Sequence, residues 1–384
     1  MTSSPIPITP ENSSARVLSE FPVDHRGSPV PTLAMIRTRV MELRKRRGLT
    51  IALVVVNIGI PAIFLAVRLI IHVVDPKSYG PAGGYGIFTN LVTGVMFIFG
   101  FIVAATLGCT AGSVDLSEGV FRHLVVTGRS RLALYFARIP AGLTILVPIV
   151  AVGFAIVCAV CVLAAPTQLH FDGAVVPQGL SEGGLVSWAK ANPQEVVCNF
   201  NYRGPINVPV RCGPNGPVAI NPQTGPPAST AVSTTQLATL AAAIAVQDYS
   251  SYHQTFLKPP YSLMAQSLLW LELETAIGYI VGLGLASLMG QRTVPVVLMI
   301  ILEIVLTPLF ATVNIPHLID LQRAIVGVAT VHVEPLGLPS AFSGHGNGGP
   351  TLVPESTSTA IVVIVGWLVV WTGLGAWRMA RRDV

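Results

Sequence analysis

The segment "SLLWLELETAIGYIVGLGLASLMG", residues 267–290, decides how this chain is read. It is apolar enough to cross a bilayer, for which about 20 mostly apolar residues suffice, yet it carries Glu272 and Glu274. A water-soluble helix would turn both carboxylates to one wet face. At about 100° per residue these two project about 200° apart, so no single polar stripe holds them. The segment reads as a membrane helix starting near Ser262. One glutamate is expected in a pathway and the other at a helix interface.

The rest of the chain agrees. It is 52% hydrophobic and only 11% charged, with mean hydropathy +0.66; water-soluble domains are about 25% charged. Five further stretches are long and apolar enough to cross: 49–71, 87–109, one within 136–164, 294–313 and 360–380. Pro61, Pro140, Pro148 and Pro308 fall inside them and read as bends, because neighbouring helices can satisfy the affected carbonyls. The expected fold is an all-α polytopic membrane protein of six transmembrane helices.

Basic residues set the expected orientation. Arg37, Arg39, Arg44, Lys45, Arg46 and Arg47 precede the first span, Arg122, Arg129 and Arg131 follow the second, and Arg378, Arg381 and Arg382 follow the sixth. By the positive-inside rule both termini are cytoplasmic, and the setting is the plasma membrane. Net charge is +5, but the basic residues sit beside apolar runs and form no separate basic domain, which excludes nucleic acid as a partner. The expected organisation is a disordered cytoplasmic tail at 1–32, a basic interfacial helix at 33–48 and spans one to three within 49–164. An external insert follows at 165–261, then spans four and five at 262–313. An external re-entrant or surface helix with a loop fills 314–359, and the sixth span with a basic C-terminus fills 360–384.

The insert is far longer than a connection requires. It is dense in Pro and Gly and holds one helix-like patch, 234–249, too short to span. Cys198 and Cys212 lie in it without other cysteines, so they read either as a disulfide or as two free thiols. Cys158 and Cys161 form a CxxC with no metal-binding neighbours, and His317, His332 and His345 lack ligand spacing. No metal site is expected.

Between the second and third spans stands "GSVDLSEGVFRHLVVTGRSRLALY", residues 112–135. Leu116, Val120 and Leu124 share one helical face; Asp115, Glu118 and Arg122 share the other, with Glu118 and Arg122 in the favourable i,i+4 order. A helix over 113–126 would lie across the base of the bundle with its charged face free. Acids mixed with bases suit a protein partner better than anionic lipid.

That stretch resembles the cytoplasmic coupling helix of ATP-binding-cassette exporter permeases of the second type. "MIRTRVMELRKRRG" (35–48) is similar to the family's basic interfacial helix, and the segment between spans five and six to its external re-entrant helices. Gly128 stands where the family often has Pro, and the family usually joins spans three and four by a short loop. The resemblance implies a permease subunit working as a dimer with a second permease chain, same or related. It implies docking to a separate ATPase through Asp115, Glu118, Arg122, Arg129 and Arg131, with ATP and Mg bound in that partner.

This chain has no P-loop of its own. Lys45, Lys77, Lys190 and Lys258 follow Arg, Pro, Ala and Leu, and none follows the Gly that the motif needs. No enzyme activity and no bound cofactor are expected. Pathway candidates are the intramembrane Glu272, Glu274 and Glu303, each costing about 2.5–3.5 kcal/mol to insert charged, with Asn57 as a polar partner. Those glutamates also support a rival reading, a proton-coupled secondary carrier. A third is a membrane anchor whose external part binds something or serves structurally.

Overall fold

The computed structural model describes residues 28–75, 81–117, 130–171, 174–199, 210–213, 216–220, 227–231, 233–253, 255–312, 315, 317–338 and 353–381. Six helices are long and apolar enough to cross a membrane: α2 (Arg47–Val74), α3 (Tyr85–Val114, continuing as helix to Ser117), α4 (Arg131–Leu163), α8 (Tyr261–Met289), α9 (Thr293–Ala311) and α12 (Thr357–Arg381). Before them runs α1 (Leu33–Lys45), broken from α2 at Arg46. The insert contributes α5 (Glu182–Ala191), α6 (Pro193–Asn199) and α7 (Thr234–His253), and α10 (Ile319–Arg323) and α11 (Val326–Val331) lie between α9 and α12.

Helix α8 is the central post. For α8, 67% of its apolar stretch lies inside the protein, against 22% for α2 and for α12. It packs on α3, α4 and α12. Its contact with α3 is close because both helices carry Gly-x-x-x-Gly. A Cβ on Gly108 would stand 2.1 Å from Tyr279 O, one on Gly112 2.5 Å from Leu283 O, and one on Gly282 2.6 Å from Ala105 O. With no hydrophobic drive between helices in lipid, such backbone contact supplies the association. Phe97 stacks on Trp270 at 4.6 Å between centroids, and the Tyr279 hydroxyl donates to Arg138 O at 2.6 Å.

Three of the six helices widen into a π turn: Val55–Gly59 in α2, Leu91–Met96 in α3 and Ile301–Leu306 in α9. Two have a visible cause. Pro61 and Pro308 each lie two residues beyond a turn, and a proline offers no N–H to the carbonyl four residues back. At Asn57, Gly153 of α4 fills the flank, since a Cβ there would lie 2.0 Å from Asn57 O.

The insert corrects the all-α expectation. The chain is mostly helical, but β1 (Leu169–Phe171) pairs antiparallel with β2 (Ala174–Val176), and β3 (Val210–Gly213), β4 (Gly216–Ile220) and β5 (Pro227–Ala231) form a second antiparallel sheet in that order. Strands of three to five residues give no readable period-two pattern. The insert has its own core of Leu169, Val176, Leu185, Ala189, Ala241 and Tyr252. Ser181 caps α5 by accepting from Gly184 N at 3.2 Å, and the Tyr252 hydroxyl donates to Pro177 O. Cys198 is disulfide-bonded; Cys109, Cys158 and Cys161 are free, which leaves Cys212, on β3, as the remaining cysteine.

Where the insert leaves the bundle, Gly84 holds both ends. Its φ of 94° suits glycine alone, and a Cβ would meet Pro166 at 2.6 Å and Leu257 O at 2.8 Å. Arg68, near the end of α2, donates to Pro81 O at 2.9 Å in the adjoining link. The helical patch expected at 234–249 extends to His253, and α4 begins at Arg131, earlier than the span expected from 136.

Candidate functional site

Two places collect the sequence candidates. The first is mid-bundle. Glu274 sits near the centre of α8 and Glu303 near the centre of α9, inside its π turn. Both are buried, at 2% and 1% exposure, and the two carboxyl groups are close enough to feel each other's charge. The Thr330 hydroxyl of α11 lies beside Glu274. No oxygen of Glu274 or Glu303 is reached by solvent or meets a donor at hydrogen-bonding distance. The Thr330 contact therefore counts as proximity, not as a hydrogen bond.

Several contacts bring α11 to this pair. Trp270, one turn before Glu274, donates its indole N–H to Thr330 O at 2.9 Å, and Thr330 Oγ1 donates to Gly327 O at 2.9 Å. Gly327 allows the approach to α9, since a Cβ there would stand 2.0 Å from Thr307 Oγ1. Thr307 in turn donates to Leu302 O at 2.9 Å, inside the π turn. Every residue of Val326–Val331 is buried against the rest of the protein. A π turn beside a buried acid is a recurrent mark of function, because the extra residue re-aims a side chain.

The other candidates part company here. Glu272 is half-buried and projects away from Glu274, though its carboxyl oxygens are also enclosed and unbonded. Asn57 does not serve as partner to a glutamate. Its amide donates to Leu53 O at 3.0 Å, and its oxygen lies 3.5 Å from where a Cβ of Gly100 would stand, a point 4.0 Å from Thr275 Oγ1. Asn57, inside the α2 π turn, thus lies against α3. No group of three or more His, Cys, Asp or Glu that could hold a metal occurs among the described residues.

The second place is the bundle end opposite the insert. Helix α1 packs there against α4, burying Leu43 among Leu53, Leu107 and Leu146. A cleft between them is lined by Arg39, Glu42, Leu43, Arg46, Ala111, Val114 and Arg138. Arg39 pairs with Glu42 at 2.5 Å, and the fully buried Arg138 donates to Gly112 O at 3.3 Å. Arg131 donates to Ala380 O at 3.2 Å, tying the start of α4 to the end of α12.

The expected coupling helix, 113–126, is corrected at its start. Residues through Ser117 continue α3 without a break, because nothing in "AGSVDLS" stops a helix already running. Asp115 thus lies in the last turns of α3. Glu118, Arg122 and Arg129 lie outside the described residues.

The sequence reading missed the paired Gly-x-x-x-Gly motifs, although both were in plain view, and missed Thr330 and Trp270. No spacing rule links residue 270 to 330. No model of a known protein family, no curated protein and no solved structure matches this chain.

Proposed function

We propose that this chain is the membrane subunit of an ATP-driven exporter, set in the plasma membrane with both termini cytoplasmic, and driven by a separate ATPase. The observation that carries the reading is the end of the bundle away from the insert. There α1, the last turns of α3 and the start of α4 converge around a charged cleft, with the 112–135 stretch joining two of them. The order of elements also supports it: the basic helix α1, three long helices, the insert, two long helices, the buried short helix α11 and a final long helix. ATP-driven closure of the partner would press on this base and, through the glycine-close contact of α3 with α8, move the central post.

The test is a detergent pull-down of the tagged full chain, with Glu118→Arg and Arg122→Glu variants alongside. Co-purification of a Walker-motif ATPase with the parent, and its loss from the variants, supports the reading. An ATPase-free parent preparation sinks it.

One observation favours a second reading, the proton-coupled carrier. Among the described residues the Glu274–Glu303 pair meets no hydrogen-bond donor, and two adjacent buried carboxyls are tolerable when they hold a proton between them. Proteoliposomes loaded with a pH-sensitive dye separate the two. Proton flux without ATP, abolished by Glu303→Gln, supports the carrier; no flux discards it.

A further inference from the structure

On the insert side, α9 ends, α11 ends and α12 begins within one small cluster, and His332 is its centre. Nδ1 of His332 lies 2.8 Å from Val328 O, and Nε2 lies 2.8 Å from Val353 O. Carbonyl oxygens only accept. A neutral imidazole has one N–H, so it would turn a bare lone pair on one of the two carbonyls at 2.8 Å. The imidazolium alone satisfies both. Glu355, whose side chain is wholly enclosed, places a carboxylate oxygen 3.6 Å from Nδ1 and supplies the counter-charge.

What His332 grips matters. Val353 N donates to Ala311 O at the end of α9 at 3.0 Å, while Arg323 of α10 donates to Pro354 O at 2.9 and 2.7 Å. Trp367 of α12 donates to Ala324 O at 2.7 Å. The strap 353–355 is thereby fastened to α9, α10 and α11 at once, and α12 starts two residues later. His332 follows Thr330 by two residues, so the same helix end touches the mid-bundle acid pair.

We propose that His332 is a proton-binding site on the insert side, and that its imidazolium clamps the strap 353–355 over the end of α11. Loss of that proton releases Val353 O or Val328 O and loosens the strap. The clamp is therefore held while the imidazole carries both protons and lost when it gives one up. The inference does not rest on the permease reading.

Among the described residues, few charged groups surround His332. Glu355 faces it from the strap. Burial pushes the Glu355 carboxyl up, while His332 and Arg323 pull it the other way. Arg323 stands on the far side of Pro354, with Asp320 at 3.5 Å from it and exposed. Glu334, two residues on, is buried and its carboxyl is pushed up to about 8. Glu334 is thus a second proton-binding group beside the clamp and needs its own control. Glu274 of α8 and Glu303 of α9 lie beyond Thr330.

The test is amide hydrogen exchange at Val353, on the full chain in lipid nanodiscs, at about pH 6 and about pH 8.5, corrected for intrinsic exchange. Protection is expected to fall about tenfold between them, the opening that follows when a buried carbonyl loses its donor. In His332→Gln protection should be low at both values. Glu334→Gln should keep the drop, and Glu355→Gln should shift it to lower pH by removing the counter-charge. Protection in the parent that does not change with pH overturns the proposal. So does a drop that survives in His332→Gln, or one that vanishes in Glu334→Gln. If His332→Gln fails to fold, the Glu355→Gln shift decides, and its absence overturns the proposal too.

Discussion

Helices α7 and α8 are neighbours in the chain and are held in opposite ways. Around α7 the insert uses the devices of a water-soluble domain: a serine cap on α5, a tyrosine hydroxyl closing a turn, a disulfide at Cys198 and a compact apolar core. Around α8 the helices meet through glycine, backbone against backbone, and acids are enclosed without hydrogen-bond donors. The insert needs specific bonds because water competes for every polar group. The bundle in lipid is left with shape as its main source of specificity. A polar group that shape leaves unpaired there is conspicuous, which is why Glu274 and Glu303 draw attention and Ser181 does not.

That contrast can be broken at four points. The largest effect should come from Gly282→Val, whose Cβ would stand 2.6 Å from Ala105 O. Overpacking against backbone costs about 3 kcal/mol or more, and size-exclusion chromatography in detergent should show little folded monodisperse protein. Gly183→Val in the insert, with nothing within 4 Å of its Cβ, should elute as the parent does. Next, Cys198→Ser opens the insert's cross-link, worth about 3 kcal/mol for a loop of some fifteen residues. Differential scanning should show the insert melting earlier with the bundle transition unmoved. A bundle that moves with it would erase the distinction between the two regions.

Glu274→Leu should act in the reverse sense. Removing an acid that has no donor is expected to raise bundle stability by about 2 kcal/mol in chemical denaturation and, on the proposed exporter or carrier reading, to lower flux. Stability that falls instead would show the acid bonded within the fold, and the pathway assignment would fail. The smallest effect belongs to Ser181→Ala, about 1 kcal/mol for a lost helix cap, confined to exchange at Gly184 and Leu185.

Much of the bundle was legible because its signal is collective. Six apolar runs need only be counted, and α8, α9 and α12 fall within a few residues of their expected bounds. The insert's strands were not legible, since "AVV" or "VRCG" carries too few positions for any period to show. At the site, Glu274 and Glu303 stood out as charges in hydrocarbon, but their pairing did not. The reason is physical: a π turn in α9 decides where Glu303 points, and apolar periodicity does not register a turn of that kind. Asn57 lies inside a π turn of its own, so its neighbours were equally hidden from apolar periodicity. His332 looked idle, since neither of its bonds is to a side chain.

A π turn holds about one residue more than the α turn it replaces. Helix α9 is therefore two α-helical rods joined out of phase, and the half before Ile301 is indexed differently from the half after Leu306. Such a join behaves like an inserted residue that was kept. Excising one position from Ile301–Leu306 would restore the phase, swing Glu303 by roughly a quarter turn relative to Thr307, and set the whole upper rod on a different helical frame without altering its composition. The address of Glu303 thus depends on chain length as much as on residue identity, and a single-codon deletion would probe it where a substitution does not.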